Sequence, residues 1–158
     1  MTTIHWTYLP VAKPKNFTHF EVIDIISIAT AQWNAAMSGL VKFEQGRGEL
    51  QSRFFFGKSI DKIKHPNRIA ECKDYPGPGR WDIEFDLRTT WNNGSKLARF
   101  FGWGNTLLST TLHEIGHIMN LPHTADRSYI MHANYNESVK LYSDEIAEYR
   151  KFLINSEK

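Results

Sequence analysis

The sequence predicts an α+β domain in which helices cover one mixed β-sheet. Three observations carry that expectation. Apolar residues recur with helical spacing in three separate segments. Stretches of two-residue alternation lie before and between them, and glycine and proline gather in the connections. The order is strand, helix, several strands, helix, a long irregular segment, helix. No repeat, low-complexity tract or linker interrupts it.

Ile4, Trp6 and Tyr8 alternate with polar residues and read as a first strand, which Pro10 and Pro14 end. Across residues 18–38, Val22, Ile25, Ile26, Ala29, Trp33 and Ala36 fall at three- and four-residue spacing, an amphipathic helix closed near Gly39. Residues 40–44 and 50–56 read as strands separated by Gly46 and Gly48, and 68–72 as a short strand. Tyr75-Pro76-Gly77-Pro78-Gly79 is a stiff loop, since proline suits neither a helix interior nor a central strand. Trp81, Ile83 and Phe85 then alternate with Asp82, Glu84 and Asp86, so the three acids are expected on a solvated face. Residues 91–94 read as a turn, 107–119 as a second helix and 143–155 as a third. Ser143 is the expected N-cap of that last helix, Asp144 and Glu145 favour its dipole, and Ile146, Tyr149 and Leu153 form its buried stripe.

Composition excludes several classes. The chain has 158 residues, long enough to bury a core without staples, and 41% hydrophobic and 23% charged residues are ordinary for a folded protein. The one cysteine, Cys72, excludes an internal disulfide framework and a four-cysteine zinc site. The 19 Lys+Arg nearly balance the 17 Asp+Glu and are scattered, which gives no nucleic-acid footprint. No apolar run is long enough for a membrane span or a signal-peptide core.

The chemistry lies in His113-Glu114-Ile115-Gly116-His117, inside the second helix. Histidines at i and i+4 share one helix face, so two imidazoles can grip one metal. Glu114 flanks that metal as a candidate proton acceptor. His123 follows six residues later, and a continuous helix would turn it away from the pair. Asn120 and Pro122 stand where the helix must stop and bend back: Asn tolerates the left-handed conformation and Pro forbids continuation. Three neutral imidazoles form a catalytic zinc set with an open position. Met131 follows a short distance on. His5, His19, His65 and His132 read as surface or structural residues.

The run from His113 to His123, with Met131, resembles the zinc signature and methionine turn of the metzincin metallopeptidases, and most closely those of the matrixins. Thr124 after the third histidine, the spacing from His123 to Met131, the YPGPG segment with Phe85-Asp86 and Trp91, residues 31–43, and Asp144-Glu145-Ile146 carry the resemblance over nearly the whole chain, in order. It implies a metzincin fold, with a mixed twisted sheet, an active-site helix and a C-terminal helix, in one catalytic domain over residues 1–158. It further implies a zinc-dependent endopeptidase that uses metal-activated water on extended substrates. His113, His117 and His123 would be the zinc ligands, Glu114 the catalytic base and Met131 the floor beneath the metal. An extended peptide would pair with strand 81–86, with Ile83 and Tyr135 in substrate binding. A monomer acting on protein or peptide, without nucleic-acid or membrane partners, is expected. Only the resemblance suggests secretion. The alternative is a zinc-binding but inactive peptide-recognition domain.

The departures sharpen the expectations. Asn120 replaces the family's glycine. Glu71 and Glu84 stand near two histidines of the family's structural zinc, so that ion is expected to be absent. The calcium loop shrinks to Arg80-Trp81 and an acidic ligand is missing near Thr89, so Asp82 and Asp86 lack the family's calcium set. Ala133 replaces the proline of the specificity-pocket wall, while Tyr135 is retained. Cys72 lacks the flanks of a cysteine switch and reads as a free thiol. Asp144 either anchors a matured N-terminal amine or serves the helix dipole.

Overall fold

The computed structural model describes residues 1–74, 79–93, 105–134 and 138–156. Strand β1 is Thr2–Tyr8, helix α1 His19–Ala36, β2 Val41–Gln45, β3 Gln51–Gly57, β4 Ala70–Asp74 and β5 Arg80–Asp86. Two short strands follow, β6 Trp91–Asn92 and β7 Asn105–Thr106, then α2 Leu107–Ile118 and α3 Ser143–Ser156. The sheet runs β2-β1-β3-β5-β4. Its first four strands are parallel, and β4 joins antiparallel at one edge. The fold is α+β with a mixed sheet, as the periodicities predict.

Helix α1 starts with a capping box: Thr18 accepts from the Glu21 N–H, and the Glu21 carboxylate accepts from the Thr18 N–H. Arg150 of α3 donates to the Ala36 and Ser38 carbonyls, each at 3.0 Å, and so serves the C-terminal end of α1. Val22, Ile26 and Trp33 of α1 meet Trp6, Phe54, Phe85 and, from α2, Leu112 and Ile115 in one core. The Trp33 indole N–H donates to the Leu112 carbonyl at 2.9 Å and ties the two helices together.

Four expectations are corrected. Glu84 and Asp86 are not solvated: they are 4% and 0% exposed. Segment 58–69 folds over that face, and Asp82 at its rim pairs with Arg53 through two 2.7 Å bonds. Strand 81–86 is not placed to receive a peptide either, although Trp81 reaches the cleft. Both edges of β5 are paired, to β3 and β4, and the Ile83 side chain is fully buried, so no backbone is left there to receive a peptide. The edge strand is β4. Residues 91–94 begin as β6, which pairs with β7, rather than as a turn. Ser143 is the first residue of α3 rather than its cap; Glu145 accepts from the Tyr142 N–H at 2.8 Å and closes that end.

Candidate active site

Helix α2 carries His113, Glu114 and His117. It ends at Met119, and Asn120 takes φ 58°, the left-handed turn anticipated from sequence. The chain then reverses, and His123 returns to the pair. The three Nε2 atoms lie 3.1, 3.2 and 3.3 Å apart. A tetrahedral ion with nitrogen ligands at about 2.0–2.1 Å needs those nitrogens about 3.3 Å apart.

Tautomers support the same reading. His113 Nδ1 is 2.7 Å from the Ile130 carbonyl and His117 Nδ1 is 3.1 Å from the Leu121 carbonyl. A carbonyl only accepts, so each Nδ1 carries the proton and each Nε2 presents a lone pair to the centre. Burial lowers the pKa of all three imidazoles, that of His113 to about 4 against the pull of the Ile130 carbonyl. They are therefore neutral near pH 7, and converging lone pairs at this spacing repel unless a cation lies among them. The donor set fits zinc.

Glu114 is buried beside them. Burial pushes its carboxyl up to about 8, the charge of Glu71 adds to that, and the Cys72 backbone N–H opposes it. Its Oε2 is buried without a hydrogen-bond partner among the described residues. The Cys72 N–H that reaches Glu114 belongs to edge strand β4, so that strand flanks the cleft. The Cys72 thiol is pushed far up by burial and the surrounding carboxylates and stays protonated.

Beneath the triad, Met131 is fully buried against the backbone of α2. A Cβ on Gly116 would lie 2.2 Å from Met131 Sδ, so the glycine makes room for the methionine. The turn holding Met131 is fixed from α3. Glu145 accepts from the Ile130 N–H at 2.8 Å and from the Tyr149 hydroxyl at 3.2 Å. Sequence reasoning assigned Glu145 only to the helix dipole; nothing local marks it as a buried anchor. His132 reads from the sequence as a surface or structural residue. It lines the cleft, and its Nδ1 accepts from the Asn134 N–H at 3.2 Å. Asp144 lies 3.4 Å from the Tyr129 hydroxyl. Tyr135 and residues 75–78 lie outside the described residues.

The carboxylates expected to lack structural ions are engaged by the protein itself. Glu71 pairs with Arg68 and Lys73, Glu84 accepts from the Ser59 N–H at 2.7 Å and from its hydroxyl, and Asp86 pairs with Arg88 and Lys62. Glu71 and Asp86 thus carry ammonium and guanidinium partners, and Glu84 carries the donors of Ser59.

A scan against protein families matches the matrixins over residues 2–152. The chain belongs to the matrixin family. Interstitial collagenase A of Mus musculus is 35% identical over 153 residues, covering 92% of this chain and 31% of that protein. Matrilysin of Homo sapiens is 26% identical over 153 residues, covering 92% of this chain and 55% of its own length. Neutrophil collagenase of Homo sapiens is 30% identical over 120 residues, 73% of this chain and 24% of that protein. The matrixin chain thus spans about half of matrilysin and less of the collagenases. Matrixins are zinc metallopeptidases, and the three-histidine cluster of this one could hold a metal ion. No helix among the described residues is long and apolar enough to cross a membrane.

Proposed function

We propose that this matrixin is a zinc-dependent endopeptidase that cleaves extended protein segments. One observation carries the reading: three imidazoles converge on one point, His113 and His117 with their Nδ1 protons committed to carbonyls, and the Oε2 of Glu114, buried and unpartnered among the described residues, sits beside them. The chemistry that zinc supplies when held by His113, His117 and His123 is Lewis-acid activation of water and of the scissile carbonyl. Glu114 takes the proton of the attacking water at Oε2 and delivers it to the leaving amine nitrogen. Edge strand β4 receives the peptide as an added strand, since β5 has no unpaired edge. Met131 keeps the floor apolar and water-free. Tyr135 in the pocket for the side chain after the cut, a monomeric state and action outside the cell belong to the same proposal.

The test is cleavage-site profiling on a peptide library, with metal analysis. About one zinc per chain, loss of cleavage in Glu114→Ala with zinc retained, and loss on chelation are expected. Zinc binding without cleavage, and no effect of Glu114→Ala, would leave the inactive peptide-recognition domain standing instead.

A further inference from the structure

The two buried carboxylates of β5 take no part in the chemistry above, yet they hold the segment that overhangs the cleft. Lys64, Asn67 and Arg68 in segment 58–69 line the same cleft as the triad. Internally the segment is held by short-range bonds, His65 N–H to the Asp61 carbonyl and Arg68 N–H to the His65 carbonyl. Its end at Ile69 is tied to β5 by a backbone bond, the Asp86 N–H to the Ile69 carbonyl at 2.8 Å, and the rest of its attachment to the sheet runs through side chains. The Ser59 N–H donates to Glu84 at 2.7 Å, and Gly57 makes room for that carboxylate, since a Cβ there would lie 2.5 Å from Glu84 Oε1. Arg88 donates to the Ile60 carbonyl at 2.8 Å while its Nε holds Asp86 at 2.7 Å. Lys62 links the two ends: its ammonium lies 3.1 Å from Asp86 Oδ2 and donates to the Arg68 carbonyl at 2.5 Å.

We propose that Lys62, seated on Asp86, is a positioning residue that fixes the cleft wall at 64–68 and so sets peptide affinity, a task done here by a protein cation and not by a bound divalent ion. Asp86 keeps Arg88 and Thr89 when Lys62 is removed, at 2.7 and 3.0 Å, so the buried carboxylate is not stranded. Lys62 therefore separates wall position from core integrity. The triad is held from α2 and the Ile130 carbonyl, which Lys62 does not touch, and the wall reaches Glu114 only through the distant charges of Arg68 and Glu71, so kcat is expected to change less than KM. The effect on substrate rests on the peptidase reading; the effect on the wall does not.

The experiment compares the full chain with Lys62→Met and Lys62→Arg, using hydrogen exchange of amides 62–69, zinc content, and kcat and KM with casein as the unstructured substrate. In Lys62→Met, exchange across 64–69 is expected to accelerate at least tenfold. KM should rise several-fold, with kcat within twofold and zinc unchanged. Lys62→Arg should restore both the protection and KM. Unchanged exchange in Lys62→Met would overturn the proposal, as would restoration of its protection by added calcium. A lower melting temperature with unchanged exchange and KM would reduce Lys62 to a structural role and overturn it too. If the wild type fails to cleave casein, the peptidase reading fails while exchange still decides this one.

Discussion

Replacing Glu145 separates the fold's support of the metal site from the site itself. Its carboxylate is fully buried and accepts from the Ile130 N–H and Tyr142 N–H, both at 2.8 Å, and from the Tyr149 hydroxyl at 3.2 Å. In Glu145→Gln one oxygen survives, but the amide NH2 must face an N–H or O–H donor. One buried donor is then unpaired, which costs about 1–3 kcal/mol, and charge assistance is lost from the others. In Glu145→Ala all three bonds go and the Ile130 N–H is left buried, for a total of about 3–5 kcal/mol. For a domain of this size each kcal/mol moves the melting temperature by about 2–4 °C. Glu145→Ala should therefore melt about 10 °C lower, and Glu145→Gln about half as far. The loss should reach the metal as well. The Ile130 carbonyl, one peptide unit from the anchored N–H, orients His113, and loss of such an outer partner weakens metal affinity about 10–100-fold. Urea unfolding and competition for zinc with a chromophoric chelator measure the two effects. A Glu145→Gln protein within about 0.5 kcal/mol of wild type, with unaltered zinc affinity, would refute the anchor.

Three further outcomes follow from the geometry. Gly116→Ala adds about 1 kcal/mol of helix propensity, yet the new Cβ would lie 2.2 Å from Met131 Sδ. The variant should be less stable by urea unfolding, with positive coupling to Met131→Ala in a double-mutant cycle; net stabilisation by the single change would contradict the packing. Asn120→Ala should cost about 1 kcal/mol because its φ is 58°, while Asn120→Gly should be neutral or better. Equal stability of the two variants would count against the left-handed turn. In chelated protein, Glu114 carries a folded pKa of about 8, above the unfolded value of 4.5. Its favourable contribution is full below pH 4.5 and is lost as pH rises through 8. Metal-free Glu114→Gln should thus gain on metal-free wild type between pH 5 and pH 9, by up to about 5 kcal/mol at roughly 1.4 kcal/mol per unit. A gap that stays constant with pH would show that the carboxyl is not desolvated.

The candidate metal site was legible in the sequence because its information is local. The i, i+4 spacing places His113 and His117 on one helix face, and Asn120 with Pro122 states that the chain reverses before His123. Strand β5 misled for the opposite reason. Alternation of Trp81, Ile83 and Phe85 with acids describes two faces but not what covers either one. Glu84 and Asp86 became buried because Ser59, Lys62 and Arg88 arrive over them. The sequence of β4, Ala-Glu-Cys-Lys-Asp, looks like a minor strand, yet it takes the sheet edge and denies that edge to β5. Glu145 likewise reads as a first-turn acid until the methionine turn packs against it.

By itself, then, the sequence determined the helices, the five longer strand segments, the reversal after α2 and the composition of the candidate metal site, since dihedral preference and periodicity act between near neighbours. Only the tertiary structure decided strand order, the burial of the β5 acids and the supports behind His113 and the cleft wall. Those depend on partners far apart along the chain, and a buried charge persists only where the fold delivers its counter-charge or hydrogen-bond donors.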